Sequence, residues 1–307
     1  MTWESYLIGR PKIFVIMILV IVLLLGGVMF FRLPYISYTG EKITFAPLNI
    51  DLTQVDFAGE RVPMDPHVNP FGREKLENEL LVTHLTLYQF LLYHKYARTY
   101  FPYIESYFHE ISIPEDFKYL AVAESSLRND AESHAGARGI WQLMPDTARR
   151  YGLRVDSEID ERLHFEKATR AAGAYLRNLN TIFENWTLAA AAYNRGESGL
   201  QRDQAAQPHA KTYYDLVLNS ETGNYMYRIV AIKYLMQNRW KILSPEMLGQ
   251  VFEVPETKTK IIDGPVLDLR IWCLENDIDY QELRELNPWI LGYTLPGGAW
   301  EVKLFVR

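Results

Sequence analysis

The sequence predicts a mainly α-helical protein with a membrane-spanning helix near its N-terminus and a small β-α-α-β unit at its C-terminus. Residues 13–31 are uninterruptedly apolar apart from two glycines. The central part repeats leucine and tyrosine at helical spacing, and the residues beyond Trp240 alternate in short segments that are typical of strands. With 48% apolar and 13% aromatic residues in 307, the composition is that of a folded chain.

Charge and cysteine content exclude several classes of function. The formal net charge of −6 argues against a nucleic-acid-binding protein. The single cysteine, Cys273, has no partner for an intrachain disulfide, and we expect it to be buried as a small apolar residue. No His, Cys and Asp cluster has metal-ligand spacing, so the sequence predicts neither a metal nor another cofactor.

The apolar segment 13–31 is long enough to cross a bilayer as a helix. Arg10 and Lys12 precede it and Arg32 follows, which favours a cytoplasmic segment 1–12 and places the rest of the chain on the other side. A cleavable signal peptide is the alternative, but the segment exceeds the usual apolar region and no A-x-A site follows. Residues 32–68, with several prolines and glycines, are interpreted as a juxtamembrane spacer.

Residues 69–240 are predicted to form one helical domain. The leucines from Leu76 onward indicate one long helix or two. A further helix is predicted to begin at Pro114, which puts Glu124 on the same apolar face as Phe117 and Leu120. An apolar setting raises the pKa of a glutamate, so Glu124 is a candidate proton donor. The alternative is a structural carboxylate whose partner, such as an arginine, lies elsewhere in the fold.

A polar, glycine-containing loop follows Glu124 and ends at Pro145 and Asp146, where another helix is predicted to begin. Trp141, Gln142 and Met144 are the residue types that line saccharide sites, although Trp141 and Met144 taken alone are more typical of a core. The segment from Trp186 to Tyr193 is predicted to be a helix that ends near Asn194 and Gly196.

Four ordered motifs carry a resemblance to a known family. They are Glu124-Ser125; the run from Gly136 to Pro145 with Ser133 before it; Ala192-Tyr193-Asn194-Arg195-Gly196; and Glu221-Thr222-x-x-Tyr225. Together they resemble the transglycosylase SLT domain of the family 1 lytic transglycosylases, whose fold is lysozyme-like, and within that family the membrane-bound D group. Two positions depart from the common pattern, since Ile140-Trp141 stands where many members have Leu-Met, and Arg195 where many have alanine or another residue.

The resemblance implies that the chain cleaves the β-1,4 bond between N-acetylmuramic acid and N-acetylglucosamine in peptidoglycan glycan strands, leaving a 1,6-anhydromuramyl end. It implies Glu124 as the single general acid and base. The residues implied to bind substrate or orient the acid are Ser125, Ser133, Gln142, Met144, Tyr193, Asn194 and Tyr225, with Trp141 and Arg195 as further candidates. By the same resemblance Tyr193 lines the glycan cleft and Tyr225 hydrogen-bonds Glu124.

Two other functions stay open from the sequence. A lysozyme-like peptidoglycan hydrolase would use water and a second carboxylate, for which Asp130, Glu132 and Asp146 are candidates. A non-catalytic glycan-binding scaffold would keep the cleft without using it, although the intact Glu124-Ser125 pair counts against it.

The C-terminal part is predicted to comprise a linker at 241–256 and a module at 257–307. The module has strands at 257–263 and 300–306 and helices at 266–275 and 280–286, and the segment from Glu282 to Trp289 resembles a LysM repeat, which binds N-acetylglucosamine-containing glycans. The alternative is a structural cap packed on the catalytic domain. The whole pattern predicts a single-pass protein of a bacterial inner membrane with its catalytic domain in the periplasm, and it predicts no particular protein partner.

Overall fold

The computed structural model describes residues 52, 55–85, 87–241, 243 and 255–306, all of which belong to one compact unit, residues 46–307. The predicted cytoplasmic segment 1–12 and membrane helix 13–31 lie outside the described residues, as do most of the spacer and most of the linker. Within the described part of the chain, no helix combines the length and apolar character needed to cross a membrane.

The described residues are mainly α-helical, as the sequence predicts, with one small sheet near each end. The elements are β1 (Asp56–Phe57), β2 (Glu60–Arg61), α1 (Gly72–Leu85), α2 (Leu87–Glu110), α3 (Phe117–Ser125), α4 (Pro145–Arg150), α5 (Phe165–Phe183), α6 (Trp186–Arg195), α7 (Glu197–Ala205), α8 (Ser220–Gln237), β3 (Thr257–Val266), α9 (Leu269–Glu275), α10 (Tyr280–Leu286) and β4 (Leu295–Phe305).

Helix α8 is central to the helical domain, because α1, α3 and α6 all pack against it. Its middle and end are almost wholly buried, which explains why its sequence has no clear polar face. Helix α6 packs between α8 and α5, and its run of alanines from Ala189 to Ala192 is fully buried. Small side chains allow this close approach of helices, so α6 and α8 hold their side chains in fixed register beside α3.

Helix α3 begins at Phe117 rather than at the predicted Pro114. The residues from Pro114 to Asp116 form a preceding turn, in which the Phe117 amide donates to the Pro114 carbonyl at 3.1 Å. The Asp116 carboxylate does not cap the helix. It accepts instead from the Ala58 amide at 2.7 Å and from Lys233 Nζ at 2.7 Å. The start of α3 is therefore fixed by long-range contacts to the β1–β2 hairpin and to α8.

The C-terminal module is a two-stranded antiparallel sheet with two short helices against it. Strands β3 and β4 pair from Thr257 with Phe305 to Val266 with Leu295, so both extend further than the predicted strands. Helix α10 has the predicted bounds, and α9 begins at Leu269 rather than at 266. The module has its own core, which includes Cys273, buried as expected, and the stacked Trp289 and Trp300.

Candidate active site

Glu124 lies in the last turn of α3, where the helix stops abruptly. Ser126 adopts the left-handed conformation, with φ of 59°, and its amide donates to the Val122 carbonyl at 2.8 Å. The buried Ser125 hydroxyl lies 3.1 Å from the Ala121 carbonyl and 2.8 Å from the Ile140 carbonyl. Ser125 thus joins the end of the acid's helix to the loop that follows it.

Two tyrosines from neighbouring helices surround the acid. Tyr225 of α8 is buried, and its hydroxyl donates a hydrogen bond to Glu124 Oε1. Tyr193 of α6 donates to the Trp141 carbonyl at 2.6 Å and is close enough to Glu124 for the carboxylate to raise the pKa of its hydroxyl. Burial and the nearby carboxylate hold the pKa of both tyrosines well above the usual value, so both remain protonated donors.

The pKa of Glu124 is raised to about 7. Glu124 is partly exposed. Protein atoms nevertheless crowd its carboxyl group and disfavour the charged form, which is the largest cause of the raised pKa. The hydrogen bond from Tyr225 lowers the pKa, the negative charge of Glu221 raises it, and the positive charge of Arg228 lowers it. Glu124 is therefore a carboxylic acid that is substantially protonated near neutral pH, which is the state a proton donor needs.

The loop between α3 and α4 folds back on itself beside the acid. The backbone of Arg138 pairs with Glu132 and with Leu143 in two single antiparallel β-bridges. Gly139 has φ of 78°, and a Cβ there would lie 2.2 Å from the Arg162 carbonyl oxygen, so both its conformation and its surroundings require glycine. Gln142 also has positive φ, 46°, a strained conformation for a residue with a side chain.

The structure places the predicted residues of this loop in different surroundings. The Ser133 hydroxyl accepts from the Ala137 amide at 3.0 Å and so closes a turn. The Gln142 side-chain amide donates to the Ala131 and Gly139 carbonyls, at 3.1 and 2.9 Å. Met144 is 43% exposed, so its side chain is open to a ligand.

Trp141 corrects an expectation drawn from the sequence. Its ring is fully buried, packs against Phe108 with centroids 5.5 Å apart, and donates from Nε1 to Thr169 Oγ1 at 2.9 Å. The ring therefore has no surface for a sugar, because its apolar area is used in the core. Only the backbone carbonyl of Trp141 takes part in the site, as the acceptor of the Tyr193 hydroxyl.

The end of α6 is tied to the start of α8. Asn194 donates from Nδ2 to Glu221 Oε1 at 3.2 Å and accepts from Thr222 Oγ1 at 2.8 Å. Arg195 pairs with Asp203 of α7, with 2.8 Å between Nε and Oδ2. These contacts give Asn194 and Arg195 clear structural roles beside the site, whatever they contribute to ligand binding.

Two residues that act on Glu124 are absent from the sequence-based selection of site residues. Glu221 and Arg228 lie on the same face of α8 as Tyr225, at i−4 and i+3, and both change the pKa of Glu124. That spacing is the signal that could have identified them. Arg228 also lines, with Ala123 and Ser126, a cavity of about 230 Å³ beside the acid's helix.

The three carboxylates considered for a second catalytic role are exposed and paired with arginines. Asp130 pairs with Arg128 at 3.0 Å, Glu132 with Arg138 at 2.7 Å and Asp146 with Arg149 at 3.0 Å. Hydrogen bonds from their arginines lower the pKa of Asp130 and of Glu132. In the described ranges, no group of three or more His, Cys, Asp or Glu side chains could hold a metal ion.

Comparison with known families confirms the resemblance that the motifs indicated. Residues 109–216 match the transglycosylase SLT domain, and residues 258–302 match the soluble lytic transglycosylase C-terminal LysM-like domain. The first match contains Glu124 and Tyr193, while Tyr225 lies just beyond it. The two matches follow one another along the chain, the first in the helical domain and the second in the C-terminal module.

The chain is similar to the membrane-bound lytic murein transglycosylase D of Escherichia coli K12, with 32% identity over 131 residues, which cover 41% of this chain and 29% of that protein. The protein of the same name from E. coli O6:H1 matches equally well. The chain therefore spans less than a third of the length of these relatives. A solved structure also matches, the X-ray structure of an inactive mutant of the lytic transglycosylase Slt from Pseudomonas aeruginosa. The aligned region covers 47% of this chain and 25% of the Slt chain, at 22% identity and a TM-score of 0.37.

Proposed function

We propose that this chain is a peptidoglycan lytic transglycosylase in which Glu124 is the single general acid and base. The observation that carries the proposal is a carboxyl group with its pKa raised to about 7 inside an SLT domain, held by a tyrosine that stays protonated. The similarity to murein transglycosylases supports the choice of substrate.

In the proposed reaction Glu124 first protonates the glycosidic oxygen that leaves from C1 of N-acetylmuramic acid. The carboxylate that remains then takes the proton from the O6 hydroxyl of the same sugar while O6 bonds to C1, which gives the 1,6-anhydro ring. One group serves twice because the first step leaves it in the basic form that the second step requires. The attacking hydroxyl belongs to the substrate, so no water needs to be activated and proximity lowers part of the barrier.

Tyr225 would orient the acid and stabilise the carboxylate that forms between the two steps. Its hydroxyl donates to Oε1, which leaves Oε2 for the substrate. Tyr193 and the strained Gln142 hold the loop beside the acid, and the exposed Met144 offers an apolar contact to a sugar ring.

A hydrolase of the same fold is the second candidate, and one observation favours it. Glu221 lies close enough to Glu124 for its charge to raise the pKa of Glu124, so a second carboxylate is present near the site. A hydrolase would use Glu221 to activate water, whereas the transglycosylase needs it only as part of the electrostatic surroundings. Glu221 also contacts Asn194, which gives it a structural role in either case.

The proposed location is the periplasmic face of an inner membrane, with residues 13–31 as the anchor and peptidoglycan strands as the partner. The apolar sequence of that segment and the similarity to membrane-bound relatives support it. The LysM-like module would add a second contact with the glycan. Carbonate extraction of membranes tests the anchor: we expect the chain to stay in the pellet, and its release would contradict an anchor.

The test is digestion of purified sacculi by the full-length chain in detergent, with released muropeptides identified by mass spectrometry. We expect anhydromuramyl ends, each one water lighter than a reducing end. Glu124→Gln should lower their release by about 100- to 10,000-fold, the usual contribution of a general acid. Asp146→Asn, which removes an exposed carboxylate, is the matched control and should retain activity.

Reducing ends in place of anhydro ends, lost in both Glu124→Gln and Glu221→Gln, would establish the hydrolase. Glycan binding without any release by the folded wild-type chain would establish a non-catalytic scaffold.

A further inference from the structure

We infer that the C-terminal module holds the loop between α3 and α4 in position beside Glu124. Arg162 is the positioning residue that connects the module's contact with the helical domain to this loop. The kinetic consequence rests on the proposed function. The path of contacts itself stands on the geometry of the described residues.

The module is joined to the helical domain by backbone pairing. The Leu291 amide donates to the Glu158 carbonyl at 2.8 Å, and the Asp160 amide donates to the Trp289 carbonyl at 2.9 Å. Between these two bonds Ile159 is fully buried in the module's core, although it belongs to the helical domain. Residues 158–160 of the helical domain therefore pair with the module along its edge, and we call them the docked segment.

Side chains extend this contact on both sides. Thr294 donates to Glu158 Oε2 at 2.8 Å, and Lys303 of β4 forms an ion pair with Glu166 at the start of α5. Burial alone would raise the pKa of Glu166, but contacts with His164 and Lys303 lower it to about 2, so the carboxylate of Glu166 is charged at any physiological pH. The docking thus combines a shared core, backbone hydrogen bonds and one ion pair.

Arg162 carries the contact from this docked segment to the loop. Its Nε and Nη2 donate to the two oxygens of Asp160, at 2.8 and 2.7 Å, and the side chains of the pair are only 5% and 2% exposed. Its remaining nitrogen, Nη1, lies 2.7 Å from the Gly136 carbonyl and 3.0 Å from the Leu143 carbonyl. The guanidinium group of Arg162 therefore connects Asp160 of the docked segment to Gly136 and Leu143. These two residues lie on either side of Gln142 in the sequence.

Neighbouring contacts reinforce the same connection. Arg138 bridges Asp160 and Glu132, at 3.3 and 2.7 Å, and so ties the loop's first half to the docked segment. The Arg162 carbonyl oxygen lies 2.2 Å from the position that a Cβ of Gly139 would occupy, so the two backbones are in close contact. A shift of residues 158–162 would move the loop with them.

The loop in turn determines the surroundings of the acid. The Ile140 carbonyl accepts from Ser125, the residue after Glu124, and the Trp141 carbonyl accepts from Tyr193, whose hydroxyl is close enough to Glu124 to be affected by its charge. A buried Arg–Asp pair is weak evidence for a gain in stability, because desolvation offsets the attraction, and fixing one geometry is its better-supported use. The fork geometry of arginine, which lysine lacks, lets Arg162 bind a carboxylate and two carbonyls at once.

The test compares the full-length chain with Lys303→Glu, which sets two carboxylates against each other, and with the charge swap Lys303→Glu plus Glu166→Lys, which restores the pair. Hydrogen exchange at the Leu291 amide reports docking, and exchange at the Ser133, Arg138 and Gly139 amides reports the loop. We expect both sets to exchange faster in the single variant and to recover in the swap. Arg162→Lys should loosen the loop amides while Leu291 stays protected.

Kinetics on sacculi provide the second readout. We expect kcat/KM to fall roughly three- to tenfold in Lys303→Glu and in Arg162→Lys, mainly through KM. The swap should recover the wild-type value. If the wild-type chain releases no anhydro product, the proposed function is wrong. The hydrogen-exchange data still decide whether the module holds the loop in position.

Either of two results would overturn the inference. The loop amides and kcat/KM could stay unchanged although Leu291 exchanges faster. Alternatively, Leu291 could stay protected both in Lys303→Glu and in a double variant that adds Gly292→Asp, where a Cβ would lie 2.1 Å from Glu158 Oε2. The second result would mean that these contacts do not hold the module.

Discussion

Glu124 is a carboxyl group under opposed influences. Crowding by the protein and the charge of Glu221 favour its protonated form, whereas Tyr225 and Arg228 favour its charged form. The first pair dominates and the pKa is about 7. A group with this pKa can give a proton and take it back at neutral pH without a large energy cost in either direction.

This raised pKa predicts how stability depends on pH. The folded-state pKa of about 7 exceeds the unfolded value near 4.5, so folding favours the protonated acid. The corresponding stability is fully present below pH 4.5 and is lost as the pH rises through 7. Glu124→Gln, which cannot ionise, should match the wild type near pH 4.5 and be more stable by about 1–3 kcal/mol at pH 8, as measured by urea unfolding.

Glu132→Gln is the control, because the pKa of Glu132 is lowered by Arg138 and the sign is opposite. That variant should gain no stability relative to wild type as the pH rises. If Glu124→Gln showed no pH-dependent difference from wild type, the pKa of Glu124 would not be raised.

The hydroxyl of Tyr225 is predicted to affect both the rate and its pH dependence. Tyr225→Phe removes a hydrogen bond that favours the carboxylate, so the pKa of Glu124 should rise and the alkaline limb of the activity profile should move to higher pH. The plateau of kcat/KM should fall about 10- to 100-fold, since a hydrogen bond to a charged group contributes about 1.5–3 kcal/mol.

Tyr227, two positions further along α8, provides the matched variant, because its hydroxyl accepts from Asn69 rather than contacting the acid. Tyr227→Phe should leave the pH profile unchanged. An equal shift in both variants would mean that the effect comes from α8 as a whole.

The residues of the site were partly predictable from the sequence. The position of Glu124 on an apolar face and the motif spacing that selects Tyr225 are local patterns, and the structure brings these two side chains into contact. Trp141 was ambiguous, because an aromatic residue in a polar loop is compatible with a core or a ligand contact. Only its packing against Phe108, which is distant in sequence, decides between them.

The site depends on how α3 and α8 are fixed to each other. Lys233 of α8 reaches Asp116 at the start of α3 at 2.7 Å and Asp56 of the β1–β2 hairpin at 2.5 Å. Phe117, the first residue of α3, is fully buried and packs edge-on against Phe57 at 5.0 Å and Trp186 at 5.3 Å. These contacts set the axial position of α3, and with it the position of Glu124 relative to Tyr225.

The ion pairs of Lys233 predict a specific loss of stability. Lys233→Met leaves the half-buried Asp116 without its cation, so the free energy of unfolding should fall by about 2–3 kcal/mol, below the range for fully buried pairs because Asp56 is exposed. Urea unfolding at pH 7 measures it, and Lys241→Met, at an exposed lysine, is the control. A loss no larger than in the control would show that the network is only a surface interaction.

The same network explains why the start of α3 was predicted wrongly. Proline followed by two acids is a normal pattern for a helix start. Here the carboxylate of Asp116 binds the Ala58 amide and Lys233 instead of capping the helix. Neither partner is near in sequence, so no local pattern records them. Helix α10, whose bounds agree with the prediction, has its capping residue Asp279 adjacent and bonded to its own first turn.

For the molecule as a whole, the sequence predicted two folded parts but not how they meet. The alternation of the strands and the apolar spacing of the helices belong to each part separately. The contact between them depends on Ile159, a residue with no distinguishing pattern in the sequence, and on the pair of Lys303 with Glu166. The LysM-like module could therefore be predicted as a fold, while its docking on the helical domain required the structure.

The module depends on the helical domain for part of its core, because Ile159 belongs to that domain. A unit of this size has a small core and is only marginally stable alone, so losing Ile159 should cost it much of its stability. Ile159→Ala should destabilise the module by about 2–5 kcal/mol through lost burial and the cavity left behind. Hydrogen exchange in increasing urea should then show that the amides of β4 open before those of α5 and α6, whereas in the wild type they open together.

Ile182→Ala, at an exposed isoleucine of α5, is the control. In this variant the amides of β4, α5 and α6 should still open together. If β4 and α6 still opened together in Ile159→Ala at the wild-type urea concentration, the module would be stable without its partner, and its core would not need the residue that the helical domain supplies.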